Sequence, residues 1–375
     1  MNKHEIGKKK PSVAVILAFY VIMALVVGVG IEIILRLQQI FWPAYELEFT
    51  SLINQSPSDI LNHVPNAGGA TSGRKFDQYG VRQYSTIERP KICARSPRIL
   101  FLGDSFMEGY DEAHTIPFII TNSLAKENIC VEPFNAGLSS YSPAIFVPQI
   151  RILYPIIKPD YIIIDIDETD FYDDNVRYKQ FITRDELGRN IAVKSGSGYR
   201  EVMAEVDAVR AQNLYIMRLI KIQFSKYLKL INSTSGQRAG ENAAIFELSM
   251  LDADSARAKF KEELSFFKSN IQEIISALKE YNFELDHLML IRHPHLEHLS
   301  GGAGGPAFNN VIFEALKEVA AANNVKIYDS LPDLQAAFNG RPEAYYFKND
   351  MHFNFKGMET YGEAVSAQLA PMLAK

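Results

Sequence analysis

Two short stretches, Arg98–Leu102 (RILFL) and Tyr161–Ile166 (YIIIDI), are apolar without the every-second-residue alternation of a half-exposed strand. Unbroken runs of this length suit strands covered on both faces, as in parallel sheets flanked by helices. The first run ends at Gly103, and Ile116, Ile119, Ile120 and Leu124 then follow at helical spacing. Val131–Phe134 leads into Asn135-Ala136-Gly137, and a second helical stretch covers Ala144–Leu153. After a long helical pattern, Asp254–Tyr281, two further apolar runs appear at His287–Ile291 and Val325–Tyr328. A last helix is expected after Asn354, a good N-cap. The alternation predicts a three-layer α/β/α sandwich around a parallel, flavodoxin-like sheet of about five strands.

The N-terminus lies outside this pattern. From Val13 to Ile31 no residue is charged, and Lys3, Lys8, Lys9 and Lys10 precede the run. A helix of that length covers about 30 Å, the thickness of a bilayer's hydrocarbon core. Lysines on the N-terminal side place that end in the cytoplasm, so the rest of the chain is expected in the periplasm or outside the cell. The expected organisation is a cytoplasmic tail at 1–12, an inner-membrane helix at 13–35, a stalk and lead-in at 41–97, and a main domain at 98–375. Glu32 and Arg36, one turn apart, are expected to pair. Residues 172–250 interrupt the main domain with a hairpin at Leu187-Gly188 and a basic, aromatic stretch, Leu214–Leu230. That insertion reads as a cap whose amphipathic helix packs on the core. A net charge of -5 gives no reason to expect nucleic acid as a partner.

The chemistry centres on Gly103-Asp104-Ser105-Phe106-Met107-Glu108-Gly109, directly after the first strand. A serine there projects at the C-terminal end of a parallel strand, where open α/β sheets hold their ligands. A serine hydroxyl needs a base. Of the eight histidines, His352 is the best placed, after the last strand and before the last helix. Asp350, two residues earlier, is near enough to orient its ring. Asp104 reads as an acceptor that braces the turn. Asp170 either lines a pocket or caps a loop. His293-Pro294-His295-Leu296-Glu297-His298 invites a metal reading, but the spacing does not force three ligands to converge. His293 and His295 are therefore read as a pocket rim, with no metal and no cofactor.

With these blocks in place, the sequence from about Arg98 to Leu369 resembles the SGNH (GDSL-type) hydrolase family. The resemblance implies that Ser105 is the nucleophile and that Gly137, in Asn135-Ala136-Gly137, gives an oxyanion-hole N–H beside that of Ser105. The family's third block reads Gly-x-Asn-Asp. Here Asp167-Glu168-Thr169-Asp170 has Thr169 where the oxyanion asparagine is expected. The last block is usually Asp-x-x-His, whereas this chain has Asp350-Met351-His352, like the alginate-acetylation branch. The implied function is a membrane-anchored, exported serine ester hydrolase working through an acyl-enzyme on an acyl ester, with a glycan as one candidate substrate. The alternatives are an O-acetyltransferase acting on an exported polysaccharide and a silent, carbohydrate- or partner-binding domain. In a 2-1-3-4-5 sheet, Cys93 and Cys130 precede neighbouring strands, so they are expected to form a disulfide.

Overall fold

The structure is a computed structural model that describes residues 12–41, 55–65, 75–82, 84, 96–221, 224, 251–299, 305–348 and 350–374. The chain divides into two compact units. One is formed by Met1–Thr50 with Ala204–Thr234, the other by Ser51–Met203 with Ser235–Lys375.

In the first unit, helix α1 (Val13–Phe41) has no acidic residue in its first turn and no basic one in its last. Its stretch Val13–Leu37 is 25 residues long with a mean hydropathy of 2.8, long and apolar enough to cross a membrane. Arg36 Nε lies 2.7 Å from Glu32 Oε1, the expected pair. Glu32 also accepts from the backbone N–H groups of Tyr215 (3.1 Å) and Ile216 (3.0 Å), and so caps a helical stretch at 215–221. The basic stretch thus starts in the same compact unit as α1. The reason is this carboxylate, which satisfies two N–H groups of the helix's first turn. Most of 222–250 lies outside the described residues.

The second unit opens with a hairpin of β1 (Gln55–Pro57) and β2 (His63–Pro65). Its parallel sheet comprises β3 (Arg98–Leu102), β4 (Glu132–Asn135), β5 (Tyr161–Asp165), β8 (Leu288–Arg292) and β9 (Lys326–Asp329). The spatial order is β4-β3-β5-β8-β9, a flavodoxin-like 2-1-3-4-5 order with every pairing parallel. Side chains alternate between the two faces, as the pleat requires. Leu100, Leu102, Ile162, Ile164, Leu288 and Leu290 share one core with helices at Pro143–Ile157, Lys261–Glu280 and Gly305–Ala322. Ile99, Phe101, Ile163, Met289 and Ile291 share the other with helices at Ile116–Lys126 and Phe355–Leu373. The sheet is therefore the middle of three layers.

Three details refine the sequence reading. The expected long helix is two, Ala253–Lys259 and Lys261–Glu280, separated at Phe260, which leaves helical geometry at φ -107° and ψ 29°. The hairpin at Leu187-Gly188 joins β6 (Ile182–Arg184) to β7 (Asn190–Val193), with Gly188 at φ +77° in the turn. Parts of the lead-in are buried: Leu61, Phe76 and Val81 join the first core.

Candidate active site

Strand β3 ends at Leu102, and a single turn of helix, Ser105–Glu108, follows at once. Asp104 is its N-cap, with Oδ1 accepting from Phe106 N–H at 2.9 Å. Ser105 is thereby held at the first helical position, above the C-terminal edge of the sheet. Arg82 secures the other end of the turn. Its buried guanidinium donates to the carbonyls of Glu108 (2.5 Å), at the end of the helical turn, and Tyr110 (3.1 Å), just beyond it. This clamp comes from the lead-in and has no sequence signature.

His352 approaches from the other end of the chain. Tyr346 bridges to Phe353, Phe347 N–H donates to the His352 carbonyl at 3.0 Å, and Asn354 caps the final helix through Gly357 N–H. This short loop places His352 Nε2 2.7 Å from Ser105 Oγ. On its other side, His352 Nδ1 lies 2.5 Å from Asp350 Oδ1. A carboxylate at Nδ1 fixes the proton there and leaves Nε2 to accept from the serine hydroxyl. Burial opposes ionisation of Asp350, but the His352 ring and backbone N–H more than offset it and hold the carboxyl below its usual range. Serine, histidine and aspartate thus form one hydrogen-bonded chain.

Two of the three oxyanion donors implied by the resemblance, Gly137 and Thr169, are hydrogen-bonded within their own loops. Gly137 N–H donates to Asn135 Oδ1 at 3.0 Å, and Asn135 Nδ2 donates to the Met107 carbonyl at 2.9 Å. The glycine is required here for close approach. A Cβ at 137 would lie 2.6 Å from Met107 Cβ and 2.9 Å from Glu108 N. The Thr169 hydroxyl donates to Asp167 Oδ1 at 2.7 Å, which also accepts from Thr169 N–H. Asp170 is the reciprocal half of that capping box, accepting from Asp167 N–H at 2.9 Å. Its role is a cap. After Gly137 the chain turns through Ser140, a non-glycine residue at φ +62°, whose carbonyl accepts from Tyr178 Oη at 2.6 Å.

The two histidines read as a pocket rim are instead buried behind the site. His293 and His295 are 1% and 4% exposed. The Phe106 ring stacks on His293 with centroids 3.7 Å apart, and lies 4.9 Å from the His352 ring. His293 Nδ1 is 3.0 Å from Asp165 Oδ2, and Asp167 Oδ2 contacts the Nε2 atoms of both His293 and His295. Burial alone would disfavour the charged rings, but Asp165 and Asp167 raise the His293 pKa well above its usual value. Glu168 and Asp167 likewise raise that of His295 to about 9. Burial and the Asp167 charge push Asp104 up to about 6, with His293 acting the other way. This buried cluster was not legible in the sequence, because its members are 128 positions apart and meet only through the pairing of β5 with β8.

Cys130, just before β4, is disulfide-bonded. Cys93, its expected partner, lies outside the described residues.

No protein-family model and no curated protein matches the chain. Among solved structures, 73% of the chain is similar to 96% of a lipase/acylhydrolase from Enterococcus faecalis, at 15% identity and a TM-score of 0.39. An acetylxylan esterase from Geobacillus stearothermophilus matches over 94% of its length at 11% identity and a TM-score of 0.40. A psychrotrophic esterase from Pseudoalteromonas sp. matches over 97% of its length at 10% identity and 0.37. Similarities this distant leave the chemistry to be read from the side chains.

Proposed function

We propose that this chain is a membrane-anchored serine ester hydrolase that works through an acyl-enzyme. The observation that carries the reading is the hydrogen-bonded chain from Ser105 Oγ through His352 to Asp350, with contacts of 2.7 and 2.5 Å. His352 takes the hydroxyl proton as Ser105 Oγ attacks an ester carbonyl, and later gives it to the departing alkoxide. Asp350 holds the ring and stabilises its charged form. The developing oxyanion meets the Ser105 N–H at the start of the helical turn, with Gly137 and Thr169 engaged elsewhere. Water then releases the acyl group.

Transfer to a glycan hydroxyl is the second reading. It uses the same acyl-enzyme and differs only in the acceptor. The His352 and Asp350 side chains are 23% and 40% exposed, so an alcohol can reach the base. Attachment to a membrane is supported by α1, with the bulk of the chain placed outside the cytoplasm by its N-terminal lysines. The exposed Leu214, Met217 and Ile220, interleaved with Arg218 and Lys221, suit the same interface.

The test is turnover of a short-chain aryl acetate by the full chain in detergent. Ser105→Ala and His352→Ala are each expected to reduce turnover to background with an unchanged melting temperature, because the two act as a unit. Undiminished turnover by Ser105→Ala would exclude the serine mechanism. Adding acetylatable oligosaccharides and measuring the ratio of acetylated glycan to acetate separates transfer from hydrolysis.

A further inference from the structure

We propose that Asp167, His293 and His295 form a binding site for one divalent transition-metal cation of the zinc class, behind the nucleophile turn. Spacing within the histidine run supplies only two ligands on one loop. The fold supplies the third, because Asp167 follows β5 and the histidines follow its neighbour β8. One donor atom from each residue lies within 4.8 Å of the others, and all three residues are buried. Zinc held by imidazole and carboxylate takes bonds of about 2.0–2.1 Å, which puts tetrahedral ligand atoms roughly 3.4 Å apart. The His293 Nε2 to Asp167 Oδ2 separation is 3.1 Å, close to that spacing, whereas the shorter contact of His295 Nε2 with the same oxygen has to open to admit the ion.

A second observation points to a ligand. His293 is 1% exposed, and its Nε2 makes no well-aligned hydrogen bond, only the 3.1 Å contact with Asp167 Oδ2. Its other nitrogen, Nδ1, is held 3.0 Å from Asp165 Oδ2, and Asp165 Oδ1 accepts from Tyr361 Oη at 3.3 Å. A histidine that donates through one nitrogen to a buried carboxylate and turns the other toward a second ligand atom is the arrangement that orients an imidazole toward a metal. Asp167 is divided in the same way. Its Oδ1 caps the helix Glu168–Tyr172 and its Oδ2 faces the two imidazoles.

The surroundings are rich in buried ionisable groups. Asp104, Asp165, Asp167, Asp170, Asp173 and Asp174 are all buried in the unit that contains the buried histidines His63, His293, His295 and His298 and the buried Arg82 and Arg292. A dication on Asp167 would sit among these carboxyl groups. A small cavity of about 10 Å³, room for a single water-sized sphere, is bordered by Asp167, Glu168, Arg292 and Phe313. A bound ion would tie the ends of β5 and β8 together beneath Phe106, whose ring separates His293 from His352.

The test uses the full chain in detergent, stripped with chelator and dialysed against limiting zinc. About one zinc per chain is expected in the wild type. His295→Gln and Asp167→Asn should each lower retention about tenfold or more. Asparagine still caps the helix at 167, so the second variant keeps its fold, which its melting curve will verify. X-ray absorption of the wild type should show only nitrogen and oxygen ligands, with imidazole scattering. The exposed Glu284 and Asp286 and the half-buried His287 form a competing group, so His287→Gln serves as a control and should retain zinc fully. Retention by the wild type no greater than by Asp167→Asn, or loss in His287→Gln, would overturn the proposal and leave the cluster as a buried ion-pair network.

Discussion

Gly137→Ala separates two roles that one glycine can play. The alanine Cβ would stand 2.6 Å from Met107 Cβ, 2.9 Å from Met107 Cγ and 2.9 Å from Glu108 N. Comfortable carbon–carbon contact needs about 3.5–4.0 Å, so the loop after β4 and the nucleophile turn must part by about 1 Å. Met107 is fully buried, and neither its Cβ nor a backbone nitrogen can swing aside. Overpacking of this kind costs about 1–3 kcal/mol. Ser105 belongs to the same four-residue turn, so the shift also strains its 2.7 Å contact with His352. Misplacing a reacting group by about 1 Å costs on the order of a hundredfold in rate. The variant keeps its backbone N–H, so a glycine acting only as a donor would leave turnover intact. Urea midpoints and ester turnover per folded molecule, with Gly198→Ala as a control in open space, measure both effects. Wild-type stability would refute the packing argument. Lowered stability with unchanged turnover would refute its link to Ser105.

Three further outcomes follow from the same structure. Burial, opposed by the Ser139 carbonyl and the Glu108 charge, lowers the His63 pKa from 6.5 to about 4. Its neutral ring therefore contributes stability above pH 6.5 that is lost as the pH falls toward 4, up to about 3 kcal/mol. Urea midpoints at pH 7 and pH 4.5 should converge in His63→Gln, and an unchanged pH slope would contradict the assignment. Non-reduced peptide mapping of the exported protein should yield a Cys93–Cys130 link closing a loop of about 37 residues, worth about 3–4 kcal/mol; two free thiols would rule it out. A phosphatase reporter fused after Lys375 should be active in a bacterial host, and an inactive one would reverse the proposed orientation.

The sheet was legible because a strand buried on both faces has little choice of residue. RILFL and YIIID are nearly pure apolar runs, and each became a strand with the expected neighbours. Ser105 and His352 were legible for a related reason. Both lie at ends of regular elements, and the sheet order sends those ends to one edge. The helix break at Phe260 was hidden because an apolar residue at helical spacing says nothing about its own φ and ψ. The hydrogen-bond partners of Gly137 and Thr169 were hidden as well. A block pattern reports which donors are present, whereas Asn135 and Asp167 decide where those donors point. The Asp167, His293 and His295 grouping needed the pairing of β5 with β8 before the third ligand came into view.

The most direct test of the account is labelling of the purified full chain with a fluorophosphonate probe, followed by intact mass and peptide mapping. Only a serine activated by a neighbouring base reacts readily with such a reagent. The expected result is one adduct per chain, on the peptide containing Ser105, and its loss in His352→Ala. A chain that stays unlabelled while folded, or an adduct on another serine, would contradict the assignment of Ser105 and His352 as nucleophile and base.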